Sequence, residues 1–135
     1  MWDDLSPSEN LSAWARLGGL TAEPAALLER VGLDPRRRDP VRALSAGMKR
    51  RLALARLLLK QPRLILLDEP FSALDPDGRD LLVDVIRELR EGGATLLLAT
   101  HLPAIGHALC DRAITLEGGR KLWEGATADL LAGAT

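Results

Sequence analysis

The chain has 135 residues, 47% hydrophobic and 27% charged, which allows one domain around one core. A formal net charge of -1 excludes the polybasic footprint of a protein that grips nucleic acid or an anionic membrane surface. A single cysteine, Cys110, excludes an internal disulfide and fits a reducing cytoplasm. No apolar run approaches the roughly 18 residues of a membrane span, and MWDDLSPSEN lacks the basic start and apolar stretch of a signal peptide.

In chain order, Ser8 is placed to cap a helix over residues 9–17, ended by Gly18 and Gly19. Thr21 is placed to cap a second helix, with Pro24 in its first turn, running to Arg30 and ended by Gly32. Leu27, Leu28 and Val31 give it an apolar face. PRRRDP at 35–40 reads as a turn with a proline at each end. A third helix is expected over 46–60. Leu52, Leu54, Ala55, Leu58 and Leu59 surround most of its circumference, so it should be buried.

From there strands alternate with helices. Residues 63–67 form a short apolar run, read as a buried strand, that stops at Asp68, Glu69 and Pro70. A helix over 76–90 follows, with Asp75 as its cap and Pro76 at its first position. Leu81, Leu82, Val85, Ile86 and Leu89 suit packing on a sheet. Residues 95–100 read as a second buried strand and 103–110 as a short helix. Residues 112–116 and 121–123 pair around Gly118 and Gly119 as a hairpin, and Thr127 caps a last helix to Leu131. The class is α/β, mainly a parallel sheet with flanking helices. A helical subdomain over 1–57 precedes a sheet-bearing part over 58–135. Trp2, Trp14, Trp123 and Phe71 read as packing residues.

Three segments carry chemistry. LILLDEP at 64–70 delivers two acids to the carboxyl edge of a strand, where open α/β sheets bind ligands. Asp68 can hold a magnesium ion through water, and Glu69 can orient or deprotonate an attacking water. LSAGMKRR at 44–51 places Ser45 as a helix cap and Gly47 where backbone can come close to a ligand. The amides of Ala46, Gly47, Met48 and Lys49 would then converge on an anion; the same pattern equally makes an ordinary capped helix. His101 follows the strand ATLLLAT, so it can reach the Asp68 site and a terminal phosphate. His107 and Cys110 lack such placement and read as structural.

Together these residues resemble the ATP-binding subunits of ABC transporters. LSAGM looks like the signature motif, LILLD like Walker B with Glu69 as catalytic glutamate, SALD at 72–75 like the D-loop, and His101 like the switch histidine. ENL at 9–11 and GLTAEPAALLERVGL resemble the helical subdomain before the signature. The resemblance implies a P-loop NTPase fold and ATP with Mg2+ as cofactors. It also implies a head-to-tail dimer in which Ser45, Ala46, Gly47 and Met48 face nucleotide held by a second ATP-binding subunit. Asp75 would lie at that interface. Transmembrane transporter subunits would hold the protein on the inner face of the cell membrane, and no nucleic acid is involved. GMKRRLALAR and LCDRAITLEGGR look exporter-type, a class with one group similar to the haem exporter of cytochrome c assembly and another similar to drug and polysaccharide exporters; ENL-x-x-W-A-R-L-G-G-L suits the haem exporter.

The chain departs from the family pattern in two ways. Ala46 and Met48 replace the usual Gly and Gln of the signature. No G-x-x-x-x-G-K-[ST] phosphate loop, no preceding adenine-stacking aromatic and no Q-loop glutamine occur in the 135 residues, so the fold reads as incomplete. A phosphate loop neutralises most of the triphosphate charge. Without one, Asp68 and Glu69 would repel ATP, and hydrolysis by this chain alone is expected at background rate. Three alternatives stand beside this reading. The chain can be a non-catalytic partner that lends its signature to a complete subunit. It can be the lobe of a chromosome-maintenance ATPase, which the neutral charge and missing heptads disfavour. It can also reflect a misplaced start codon or a broken gene.

Overall fold

The computed structural model describes residues 1–21, 23–72 and 74–132. Ala73, in the middle of SALD, and Ala22 lie outside the described residues. Among the described residues six α-helices and four strands follow one another as α1 (Pro7–Gly18), α2 (Pro24–Arg30), α3 (Ala46–Lys60), β1 (Leu64–Asp68), α4 (Pro76–Glu91), β2 (Thr95–Ala99), α5 (Pro103–Leu109), β3 (Arg112–Glu117), β4 (Arg120–Ala126) and α6 (Thr127–Ala132). A single 3₁₀ turn, Val41–Ala43, leads into α3.

The first helix starts two residues earlier than expected. Ser6, not Ser8, is the cap, because Pro7 takes the first helical position and Glu9 then falls three residues after the cap. The Ser6 amide and hydroxyl donate to Glu9 Oε2 at 2.8 and 2.7 Å, and the Glu9 amide returns a bond to Ser6 Oγ at 3.4 Å. Ser8 instead accepts from the Ser12 hydroxyl inside the helix. Likewise Thr21 does not cap α2. That helix begins at Pro24 behind Glu23, with no side-chain cap.

Asn10 is almost fully buried and fastens the N-terminal segment. Its Oδ1 accepts from the Trp2 amide at 2.9 Å, and its Nδ2 donates to the carbonyls of Trp2 and Leu5. That segment in turn accepts from Val41 and Arg42, just ahead of α3. Arg51 of α3 donates to the Val31 carbonyl at 2.9 Å, where α2 ends. Gly32 suits the turn there: its φ is +70°, in the left-handed region that favours glycine, and a Cβ would lie 2.8 Å from Arg51 Nη1, the end of a flexible side chain that would have to move.

Two apolar clusters form the interior. The larger joins Leu11, Leu28, Val31, Leu52, Ala55, Leu58, Ile65, Val85 and Leu89, so α3 is shared between the helical segment and the β1–α4 unit. Each of the leucine, isoleucine and valine side chains among them contributes about 1.5–3 kcal/mol relative to exposure. The smaller gathers Phe71, Leu82, Ile86 and Leu109.

The strands lie in two pairs. β1 and β2 run parallel in the register Leu64↔Thr95 through Asp68↔Ala99. β3 and β4 form an antiparallel hairpin, longer than the sequence suggested, with Gly118 and Gly119 both at positive φ in its turn. The parallel pair is not buried on both faces as expected. Ile65, Leu67, Leu96 and Leu98 pack inward, whereas Leu66 and Leu97, paired in the register, are each 65% exposed. Thr127 begins α6, but its hydroxyl donates to the Cys110 carbonyl at 2.6 Å and so ties α6 to the end of α5. Among the described residues no helix is long and apolar enough to cross a membrane.

Candidate functional site

The carboxyl edge of the β1–β2 pair carries the first group of site residues. The register puts Asp68 opposite Ala99, and the Glu69 amide extends the ladder by one bond to the Ala99 carbonyl at 2.9 Å. Asp68 is exposed at that edge. Both chains then turn away. After β2, Thr100 Oγ1 accepts from the Leu102 amide at 3.2 Å, which turns the backbone at His101. After β1, residues 69–72 form a turn with Pro70 second and Phe71, 1% exposed, anchored in the smaller core cluster.

Glu69 pays an unusual conformational cost within this turn. Its φ is +42°, a left-handed value uncommon outside glycine and costing on the order of 1–3 kcal/mol. The outcome is a contact between the two candidate catalytic side chains. His101 Nδ1 lies 2.9 Å from Glu69 Oε2, with side chains 69% and 39% exposed. An ionised carboxylate only accepts hydrogen bonds, so the bond fixes the proton on Nδ1 and leaves Nε2 as the second, uncommitted ring position. Such a pair can hold a water and receive its proton on the carboxylate while the imidazole orients the acceptor.

The second group sits at the start of α3. Ser45 is the cap, as expected, with its Oγ accepting from the Met48 amide at 3.2 Å and its carbonyl accepting from Lys49 at 2.9 Å. The four amides therefore do not all converge on one external spot: those of Met48 and Lys49 are used inside the helix. Ala46 and Gly47 are the first-turn amides without an intrahelical acceptor. Ser45, Ala46 and Gly47 are exposed and Met48 is half-buried. A Cβ at Gly47 would meet nothing within 4 Å, so packing within this chain does not call for a glycine there.

Asp75 sits at the start of α4. Its Oδ1 accepts from the Gly78 amide at 3.0 Å and caps α4. A Cβ at Gly78 would lie 2.6 Å from that oxygen, which explains the glycine. The arginine turn is also internally engaged: Arg37 pairs with Asp39 at 3.1 Å, and the Arg36 amide donates to Asp34 Oδ1. Thus Asp68, Glu69 and His101 are gathered at one edge, the signature residues at one helix end, and Asp75 at another. The sequence places Ser72 in SALD but does not show its bond to Glu69, nor the turn at Thr100 or the left-handed Glu69 backbone. A proline directly after the acid pair was the available signal for a turn.

The donor set suits magnesium in one limited sense. Among the described residues no three His, Cys, Asp or Glu side chains gather as a metal cage. Asp68 offers one exposed carboxylate, which fits an ion held mostly by phosphate oxygens and water.

A family profile described as "AAA domain, putative AbiEii toxin, Type IV TA system" matches residues 9–105. The chain is similar to Nod factor export ATP-binding protein I of Rhizobium etli, 40% identical over 96% of this chain and 44% of that one. It is also similar to the protein of the same name from Burkholderia pseudomallei, 43% identical over 93% and 44%. It thus spans less than half the length of these relatives. A solved structure of an ATP-binding subunit of an ABC transporter superposes with a TM-score of 0.80 at 29% identity, over 98% of this chain and 57% of that one. CbiO1 from Clostridium perfringens, part of the ABC transporter complex cbiONQ, gives 0.71 at 26% identity, over 98% and 55%. The chain belongs to the AAA domain family of that profile and has the ABC ATPase form of the P-loop NTPase fold found in transporter ATP-binding subunits.

Proposed function

We propose that this chain supplies the signature, Walker B and switch-histidine part of an ATP-hydrolysing subunit that energises an ABC transporter. The observation that carries the reading is the 2.9 Å contact of Glu69 with His101 at the carboxyl edge of paired parallel strands. In this reading Glu69 takes a proton from the attacking water and His101 contacts the terminal phosphate, which Nε2 can do as a donor only when both ring nitrogens carry protons. Asp68 would help hold Mg2+, which supplies charge neutralisation on the phosphates when bound. Residues 1–57 act as the helical subdomain and 58–135 as part of the nucleotide-binding core.

Ser45 and Gly47 serve a nucleotide held by a second ATP-binding subunit. Gly47 favours this over an ordinary capped helix. Glycine disfavours helix by about 1 kcal/mol relative to alanine, and packing within this chain gives no reason for it. Asp75 lies at the subunit contact while it caps α4. Transmembrane partners place the assembly on the inner face of the membrane. The direction is export, supported by the names of the relatives, and the likeness of residues 9–20 to a haem exporter makes haem a candidate cargo. Alone, without a phosphate loop, the chain turns over ATP at background rate.

A second reading keeps Ser45 and Gly47 but makes the chain a non-catalytic partner. The test is Mg2+-dependent ATP hydrolysis by the complex this protein forms in its own cells, with the polypeptide that supplies the phosphate loop to the Glu69 site, comparing wild type with E69Q. A loss in E69Q assigns Glu69 to catalysis. Equal turnover, abolished by a change at Ser45, would favour the non-catalytic reading.

A further inference from the structure

The carbonyl of Glu69 receives two hydrogen bonds from one residue, Ser72. The Ser72 amide donates at 3.2 Å and its hydroxyl at 2.8 Å. The first bond closes the turn of residues 69–72, and any residue but proline could make it. The second depends on the side chain. It falls on the residue whose backbone is left-handed at φ +42°, directly before Pro70, where the ring further restricts the preceding backbone.

We propose that Ser72 is a positioning residue: its hydroxyl holds Glu69 in the left-handed turn and thereby aims the carboxylate at His101. The inference rests on the reading of Glu69 as the water-activating group. A strained conformation persists only where its surroundings over-determine it. Three attachments do so here. The Glu69 amide is fixed to Ala99, the buried ring of Phe71 fixes the middle of the turn, and Ser72 fixes the carbonyl. The first two set where the turn lies. The hydroxyl sets the rotation of the Glu69 peptide, and so the direction in which the side chain leaves. Ser72 is exposed, so the position has room for a methyl group and the hydroxyl can be tested by itself.

The chain has two histidines, His101 and His107, which makes the ring nitrogens a simple reporter. The experiment is a long-range proton–nitrogen correlation spectrum of the full chain labelled at histidine, for wild type, S72A, S72T and E69A. His107, on α5, reports that the fold is retained. The expected result is that E69A moves the His101 Nδ1 resonance, S72A moves it in the same direction, and S72T keeps it at the wild-type position. A His101 resonance in S72A unchanged from wild type would overturn the proposal, as would S72T moving as far as E69A. If S72A unfolds, S72C takes its place: it keeps the size of the side chain but is a weak donor, and it is expected to move His101 in the direction of E69A, an unchanged resonance overturning the proposal. If E69A moves His101 while neither Ser72 variant does, Ser72 is excluded and the catalytic reading of Glu69 stands. If E69A itself leaves His101 unmoved, the pair fails, and both fall.

Discussion

Glu69 and His101 are 32 residues apart in the chain, and the in-register pairing of two five-residue strands brings their side chains to 2.9 Å. The contact therefore depends on register. A one-residue slip of β2 would turn its inward leucines outward and carry His101 away from Glu69.

The turn that carries Glu69 should fail if its anchor is removed. Phe71→Ala is expected to cost about 3–5 kcal/mol, the range for deleting a buried aromatic ring. Denaturant titration checks it. The same substitution at exposed Leu66 should change the midpoint far less.

The signature glycine should separate stability from function. Gly47→Val is expected to leave the unfolding free energy of the chain within about 0.5 kcal/mol, because the site is open and the two residues differ little in helix propensity. The same change should weaken ATP-dependent association with a complete ATP-binding subunit by at least about tenfold. Gly32→Ala should behave oppositely, costing about 1–2 kcal/mol through strain at φ +70° and collision with Arg51.

The capping box of α1 should make stability sensitive to acid. The Ser6 hydroxyl, and then its amide, hold the Glu9 carboxyl below its usual 4.5. The folded state thus binds that proton less readily than the unfolded chain. The stabilisation is present above about pH 4.5 and fades as pH falls through the lower folded value. Ser6→Ala should cost about 1 kcal/mol at neutral pH and flatten this acid dependence, read by circular dichroism melts from pH 6 to pH 3.

Cys110 should be slow to react. Partial burial is the main cause raising its thiol above 9.0; Arg90 lowers it and Asp111 raises it. Alkylation at neutral pH, followed by intact mass, should run on the order of tenfold slower than for a free thiol. The folded state holds this proton more tightly, so the associated stability is present below pH 9.0 and is lost as pH rises through the folded value.

Much of this was legible in the residues. The boundaries of α3 and the cap and start of α4 follow from Ser45, Asp75 and Pro76, because capping is local chemistry. Ser6 and Ser8 both precede the apolar period, and only the spacing to Glu9 tells the cap from the helical residue two positions later. The acid edge was legible because an aliphatic run ended in Asp68 and Glu69. The aim of Glu69 was not, since it depends on a left-handed residue and on a hydroxyl three positions later. The one-sided burial of β1 and β2 was missed because an all-aliphatic run looks alike whether one face or both are covered.

The most direct measurement is Mg2+-dependent ATP turnover by the complex this protein forms in its own cells, purified with wild type or E69Q. The account predicts turnover in the wild-type complex and a fall of about 100-fold or more in E69Q, with nucleotide still bound. Equal turnover by the two complexes would contradict it, because Glu69 would then have no part in the chemistry.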